Sequence, residues 1–230
     1  KNVEFIDVSH PDGLRMYIRS LVFVLYAAVK EAFPQLSLRI RKGISNGYYC
    51  ELNGYGKDLL KKDIDLIKDK MLSLIREDIP FIKKGLLSGE ATDHLKKEGL
   101  EEKAQLFEQQ GHLYSSLYFL KHLGNYFYGH LLPSTGYITK FNLVRYFDGI
   151  LLQIPKPDNF DQLQEVLEQK KLFEIYEEHK DWAQILNVSF HGAMWSCSVP
   201  TAYSGCLIWP RSIGRSPNTS VSGLTRLLWR

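Results

Sequence analysis

The chain has 230 residues, of which 44% are hydrophobic and 24% charged, as in a globular protein with one large domain or a domain and an extension. No apolar run reaches about 18 residues, so no membrane span is expected, and three Cys without a C-x-x-C pair argue against a disulfide framework and favour a cytoplasmic protein. The net charge of +3 comes from residues 189–230, which carry four Arg and no Lys, Asp or Glu, whereas residues 1–188 carry a net charge of −1.

The first third of the chain predicts a long helix, a hairpin and a second helix. A capping box at Ser9 starts the first helix, and Phe33-Pro34 ends it. One face of this helix is predicted to be buried, because apolar residues recur at spacings of three and four: Leu14, Tyr17, Ile18, Leu21, Val24, Leu25 and Ala28. Residues 36–52 are predicted to form two strands joined at Asn46-Gly47, and residues 57–76 a helix with one solvated face of Lys and Asp.

The rest of the chain predicts mixed structure. Its elements are a strand at 79–87, short helices that stop at Gly99 and Gly111, β structure over 112–154 and a helix over 159–186. Asp148-Gly149 between two apolar runs is typical of a hairpin. Separate helical and strand regions of this kind predict an α+β fold, in which helices pack on a mainly antiparallel sheet.

The chain is predicted to divide at residue 155, where Pro155 and Pro157 interrupt the strand pattern. The predicted parts are a domain at 1–155, a helical extension at 156–188 and an atypical tail at 189–230. The tail holds eight Ser, three Trp and two of the three Cys. Either it is a product of a reading-frame error or foreign sequence, or it is a basic arm that touches RNA or lipid. No function is drawn from it.

Four segments of residues 10–155 give a family resemblance. They are the helix end at 28–34 (Ala-Val-Lys-Glu-Ala-Phe-Pro), Ser-Asn-Gly-Tyr-Tyr-Cys-Glu at 45–51, Glu90-Ala91 followed by Gly99 and Lys103, and Tyr-Gly-His-Leu-Leu-Pro-Ser-Thr-Gly at 128–136. In order and spacing they resemble the second additional domain of threonyl- and alanyl-tRNA synthetases. In threonyl-tRNA synthetase this is an editing domain, which hydrolyses mischarged tRNA. The resemblance implies the same synthetase-like α+β fold here.

The chemical groups of that family are missing from the matching positions. The family carries His-x-x-x-His in its first helix and Cys-x-x-x-His in the later loop, a cluster that can bind zinc or position a water. By counting from Pro34 and Pro133, these positions hold Arg19, Phe23, Phe127 and Leu131. An acid of the family is Asn125 here, and only its lysine is retained, as Lys103. We therefore expect no catalytic residue and no metal ligand in this chain.

The sequence nevertheless predicts a binding pocket. Its expected lining is Arg19, Tyr49, Glu51, Lys103, His130 and Arg145. The three cations would hold a phosphate or carboxylate, and Tyr49 would offer a stacking face. Phe23, Phe127 and Leu131 are expected to fill the family's catalytic cavity with apolar volume. Arg19 needs either an anionic partner or a route to solvent.

A second resemblance concerns the whole protein. His10 to Ser20, His-Leu-Leu-Pro-Ser-Thr-Gly-Tyr-Ile at 130–138 and Val-Arg-Tyr-Phe-Asp-Gly at 144–149 resemble bacterial uridine kinase-like proteins. In that family a synthetase-like region precedes a phosphoribulokinase/uridine kinase domain. This chain starts without Met and contains no P-loop motif, so it is expected to be the N-terminal part alone. The resemblance then implies that ATP and Mg belong only to the kinase domain.

Three functions remain open from the sequence. The first is a regulatory module that binds a small molecule or an RNA end and has the kinase domain as its partner. The second is an aminoacyl-tRNA deacylase that uses His130 and Lys103. The third is a structural or dimerisation domain, with the aromatic sheet face as the interface of a homo-oligomer. None of the three involves a membrane.

Overall fold

A computed structural model describes residues 6–54, 60–156 and 159–185 of the chain. The chain divides into two units, residues 1–179 and 180–230, and the contacts reported below lie within the first. The fold is α+β, as predicted. Its helices and strands are α1 (Pro11–Ala32), β1 (Ser37–Ile44), β2 (Gly47–Asn53), α2 (Lys61–Arg76), β3 (Ile82–Leu87), α3 (Ser88–Lys97), α4 (Glu101–Gln110), β4 (Tyr114–Leu120), β5 (Leu123–Asn125), β6 (Asn142–Tyr146), β7 (Gly149–Gln153) and α5 (Lys170–Ile185).

Helix α1 is the central element, and its apolar stripe is buried as the spacing predicts. Tyr17, Leu21, Val24 and Leu25 are completely inaccessible to solvent. The N-cap is His10 and not Ser9, because the imidazole Nδ1 of His10 accepts the hydrogen bond from the backbone N–H of Asp12. The helix ends at Ala32, directly before Phe33-Pro34.

A four-stranded antiparallel sheet in the order β1-β2-β7-β6 covers one side of this helix. The turn between β1 and β2 places Ser45 and Asn46 at φ values of 54° and 57°, a left-handed backbone that suits a two-residue hairpin. Cys50 and Ile150 face the core formed with α1 and α2. Tyr49 and the residue paired with it, Leu151, face the opposite side, where Phe173 of α5 packs.

A second antiparallel sheet, in the order β3-β4-β5, packs on the other helices. Leu117 of β4 is buried with Leu95 of α3 and Phe107 of α4. The neighbouring β4 residues Tyr118 and Leu120 belong to the core that contains α1. This sheet therefore connects the short helices α3 and α4 to α1, and it carries Asn125 and the loop that follows to the α1 surface.

The predicted helix at 159–186 is wrong in its first part, because helix α5 begins only at Lys170. Backbone groups of residues 164–169, which precede α5, form hydrogen bonds with side chains of the sheet. The hydroxyl of Tyr146 donates to the carbonyl of Leu167 at 3.2 Å and accepts the N–H of Gln169 at 3.1 Å. The carbonyl of Gln164 accepts the Gln153 side-chain amide at 2.9 Å. These bonds hold the segment against β6 and β7 and replace helical hydrogen bonds.

In the described ranges, no helix combines the length and apolarity needed to cross a bilayer. The predicted tail at 189–230 lies outside the described residues. The predicted domain boundaries at 155 and 188 remain predictions.

Candidate functional site

The loop after β5 is fastened to helix α1 by side-chain hydrogen bonds. The hydroxyl of Ser20 accepts the N–H of Leu132 at 2.8 Å and donates to the carbonyl of Met16 at 2.9 Å. From β4, the hydroxyl of Tyr118 donates to the carbonyl of Gly129 at 3.0 Å. Ser20 is fully buried, so its hydroxyl is satisfied without water. These bonds hold the loop that contains Phe127 and Leu131 against the part of α1 that contains Phe23.

Apolar side chains fill the space between helix α1 and the loop after β5. Phe23 is fully buried, and its ring centroid lies 5.1 Å from that of Phe127 and 5.8 Å from that of Phe81. Leu131 is 7% exposed in the same core. The expectation that Phe23 and Leu131 are core residues is confirmed. Aromatic pairs at such distances stabilise a fold beyond their buried area, so this region is a packed core.

Arg19 lies one helical turn before Phe23, with its guanidinium against Gly129. Gly129 has a φ of +106°, which favours glycine, and a Cβ atom there would lie 2.6 Å from Nη1 of Arg19, so a larger residue would also displace the guanidinium. Among the described residues, no carboxylate lies within ion-pair distance of Arg19. Its positive charge partly offsets the rise that burial causes in the pKa of Tyr48. Arg19 is half-buried, and whether it takes an anionic ligand or a route to solvent remains a prediction.

Lys103, on α4, extends to the end of β5 and the start of the loop that follows it. Its ammonium donates to Oδ1 of Asn125 at 2.6 Å and to the carbonyl of Tyr126 at 3.2 Å. It also lies 5.2 Å from the ring centroid of Phe127. Burial lowers the pKa of Lys103 to about 8, although the negative charge of Glu102 acts in the opposite direction. The acceptors that Lys103 reaches are neutral, so its charge is only partly compensated.

A cavity of about 380 Å³ opens beside Lys103, between α1, β1 and the turn that joins α3 to α4. Its charged and polar lining includes Tyr26, Lys30, Arg39, Glu98, Glu102 and Lys103. Arg39 and Glu102 form an ion pair. The hydroxyl of Tyr26 donates to Glu98 at 3.5 Å, and burial together with the charge of Glu98 raises the pKa of Tyr26. A volume of this size is sufficient for a small ligand.

Of the six predicted pocket residues, only Lys103 lines this cavity. Tyr49 and Glu51 are buried on the sheet face that packs on α5. The ring centroid of Tyr49 lies 5.3 Å from that of Phe173, and the carboxylate of Glu51 accepts the hydroxyl of Tyr176 at 3.1 Å. The sequence shows that Tyr49 and Glu51 lie on the same face of a strand. The structure shows that this face of β2 packs on α5 and does not line the cavity.

The remaining predicted residues are exposed or lie outside the cavity. His130 is exposed in the loop, next to the Gly129 that contacts Arg19. Arg145 is exposed on the edge strand β6, where its Nε donates to the carbonyl of Phe147 at 3.5 Å. The structure thus does not gather the six residues into one pocket. Whether Arg19, His130 or Arg145 contacts a ligand remains a prediction.

Sequence reasoning missed most of the cavity lining. Tyr26 and Lys30 could have been found, since they extend the helical row of Arg19 and Val22 by successive turns. Arg39 and Glu98 could not, because nothing in the local pattern indicates that β1 faces the turn between α3 and α4. Within the described ranges, no three His, Cys, Asp or Glu side chains lie together as metal ligands would.

Comparison with known proteins gives one consistent result. A threonine–tRNA ligase of Laribacter hongkongensis is 33% identical over 136 residues, which are 58% of this chain and 21% of that protein. The threonine–tRNA ligase of Geobacter sp. strain M21 is 29% identical over 141 residues, or 61% of this chain and 22% of that protein. No family model matches. Most of this chain is therefore threonyl-tRNA synthetase-like, and the chain spans about a fifth of the length of these curated relatives.

Proposed function

We propose that this chain is a non-catalytic binding and regulatory module on a tRNA-editing-type scaffold. One observation carries the proposal: the rings of Phe23 and Phe127 pack 5.1 Å apart at the positions where the resemblance implies a catalytic His and Cys. Neither ring can bind a metal or activate a water. Their volume also occupies the space that a hydrolytic water would need. Lys103 is retained and lines a cavity of about 380 Å³, which supports binding without hydrolysis.

The proposal includes a parent protein of the uridine kinase-like class, in which a nucleoside kinase domain follows this region. This part is supported by the sequence resemblance of residues 10–20, 130–138 and 144–149. A G-x-x-x-x-G-K-[ST] motif in the genomic sequence that continues this chain would test it, because ATP-dependent phosphoryl transfer in that class needs a loop that cradles phosphates.

A ligand screen by thermal unfolding tests the binding role. The whole chain is heated alone and with amino acids, nucleotides or short single-stranded RNA. We expect at least one probe at 100 times its dissociation constant to raise the free energy of unfolding by about 2.7 kcal/mol, which is a rise of about 5–10 °C in Tm for a chain of this size. If no probe in the three classes shifts Tm, the binding role is refuted and a structural or dimerisation role is favoured.

The second candidate function is an aminoacyl-tRNA deacylase that uses Lys103, whose pKa burial lowers to about 8, and His130, which lies exposed outside the cavity. We expect no release of amino acid above the rate of spontaneous hydrolysis when the chain is incubated with mischarged threonine tRNA. The matched control is the variant His130→Ala, which changes an exposed side chain. Release that His130→Ala abolishes would replace the binding module by the deacylase.

A further inference from the structure

The cavity beside Lys103 contains positive charge that has no partner of opposite charge among the residues that the structure describes. Lys103 reaches a side-chain amide oxygen and a backbone carbonyl, and it forms no ion pair with a described residue. Lys30, two helical turns after Val22 on the same row, also lines the cavity and forms no ion pair within the described part of the chain. A bound carboxylate would supply the charge-assisted hydrogen bonds that these neutral acceptors do not.

The same cavity contains negative charge. The carboxylate of Glu98 accepts only a long hydrogen bond of 3.5 Å from Tyr26 among the described residues. Glu101, in the first turn of α4, also lines the cavity and is exposed. Arg39 and Glu102 satisfy one another as an ion pair. The lining thus presents three cations and three carboxylates, and each sign has members without a strong partner.

We propose that this cavity binds a small zwitterion, a free α-amino acid or a molecule of the same charge pattern. Its carboxylate is held by Lys103 and its ammonium group by Glu98. The lining carries equal numbers of cations and carboxylates, which matches the two opposite charges of a zwitterion better than the charge of a dianion such as a phosphate ester. The volume, about 380 Å³, lies at the small end of the range for ligand sites. This inference rests on the proposed binding function and names its ligand class.

Binding of such a ligand depends on pH through Lys103. Among the described residues, the cavity around Lys103 has six other titratable groups. They are Tyr26 and Lys30 on α1, Arg39 on β1, and Glu98, Glu101 and Glu102 at the α3–α4 turn and the start of α4. The ligand carboxylate binds the protonated ammonium, which burial makes easier to deprotonate. Affinity therefore falls as pH rises above about 8, and binding near pH 8 takes up protons.

Isothermal titration calorimetry on the whole chain tests the inference. The probes are glycine, L-alanine and L-serine, with acetate and methylamine as ligands that carry one charge each. We expect the amino acids to bind at least tenfold more tightly than either single-charge probe. Lys103→Met and Glu98→Gln should each weaken binding at least tenfold, while Lys97→Met, which removes an exposed lysine on α3, should leave affinity unchanged. Titrations in two buffers with different heats of ionisation measure the proton uptake.

The outcomes separate this inference from the proposed function. Acetate binding as tightly as the amino acids would overturn the zwitterion and leave a simple anion site. If no amino acid binds but a nucleotide or RNA raises Tm, the inference fails and the binding module stands. If nothing binds by either method, both fail. The Tm of each variant shows whether it is folded, and Glu98→Gln keeps the inference testable should Lys103→Met fail to fold.

Discussion

Replacement of Phe23 by alanine should lower the free energy of unfolding by about 3–5 kcal/mol, the range for a buried aromatic residue. Phe23 is fully buried, and its ring packs within 5.1–6.5 Å of the rings of Phe127, Phe81 and Tyr26. Truncation removes this buried area and leaves a cavity between α1 and the loop after β5. Urea unfolding followed by circular dichroism measures the loss.

The matched control is Tyr128→Ala in the same loop, because Tyr128 is 84% exposed. It should change the unfolding free energy by no more than about 0.5 kcal/mol. A loss below about 1 kcal/mol for Phe23→Ala would show that the region is not a packed core. Phe23 and Phe127 would then not fill the space that a hydrolytic water needs, and a hydrolytic site would again be possible there.

Replacement of Lys103 by methionine should change how stability depends on pH. The pKa of Lys103 is lowered from 10.5 to about 8 in the folded protein. Between these values the unfolded chain binds more protons than the folded one, so stability rises with pH. The penalty for the buried charge is fully present below about pH 8 and disappears towards pH 10.5. We therefore expect the stability of Lys103→Met relative to the wild type to fall by about 2 kcal/mol between pH 7 and pH 10.

Urea unfolding of the wild type and the variant at pH 7, 8.5 and 10 measures this difference. Lys97→Met serves as the control, because Lys97 is exposed on α3 and its removal should give a difference that does not vary with pH. If the difference in unfolding free energy between the wild type and Lys103→Met also does not vary with pH, the Lys103 ammonium is well solvated. This result would also remove the reason for an anionic group to bind there.

The predictions from sequence were most successful where a local pattern determines structure. The apolar spacing of α1, the termination at Phe33-Pro34 and the two hairpins follow from side-chain periodicity and turn residues, which act over a few positions. Counting along the chain also selected Phe23 and Phe127 as matching positions, and the structure places their rings in contact. Residues 159–169 were misassigned because their helical pattern is overridden by hydrogen bonds to Tyr146 and Gln153.

The sequence by itself determined the α+β class, the order of the helices and strands, and the apolar character of Phe23, Phe127 and Leu131. Only the tertiary structure decided which charged residues share a cavity. Periodicity shows that Tyr49 and Glu51 share one face of β2, but the packing of α5 buries that face. The cavity is formed by the consecutive elements α1 and β1 and by the α3–α4 turn, which lies much later in the chain. Residues from such elements become neighbours only when burial of the apolar core brings their surfaces together.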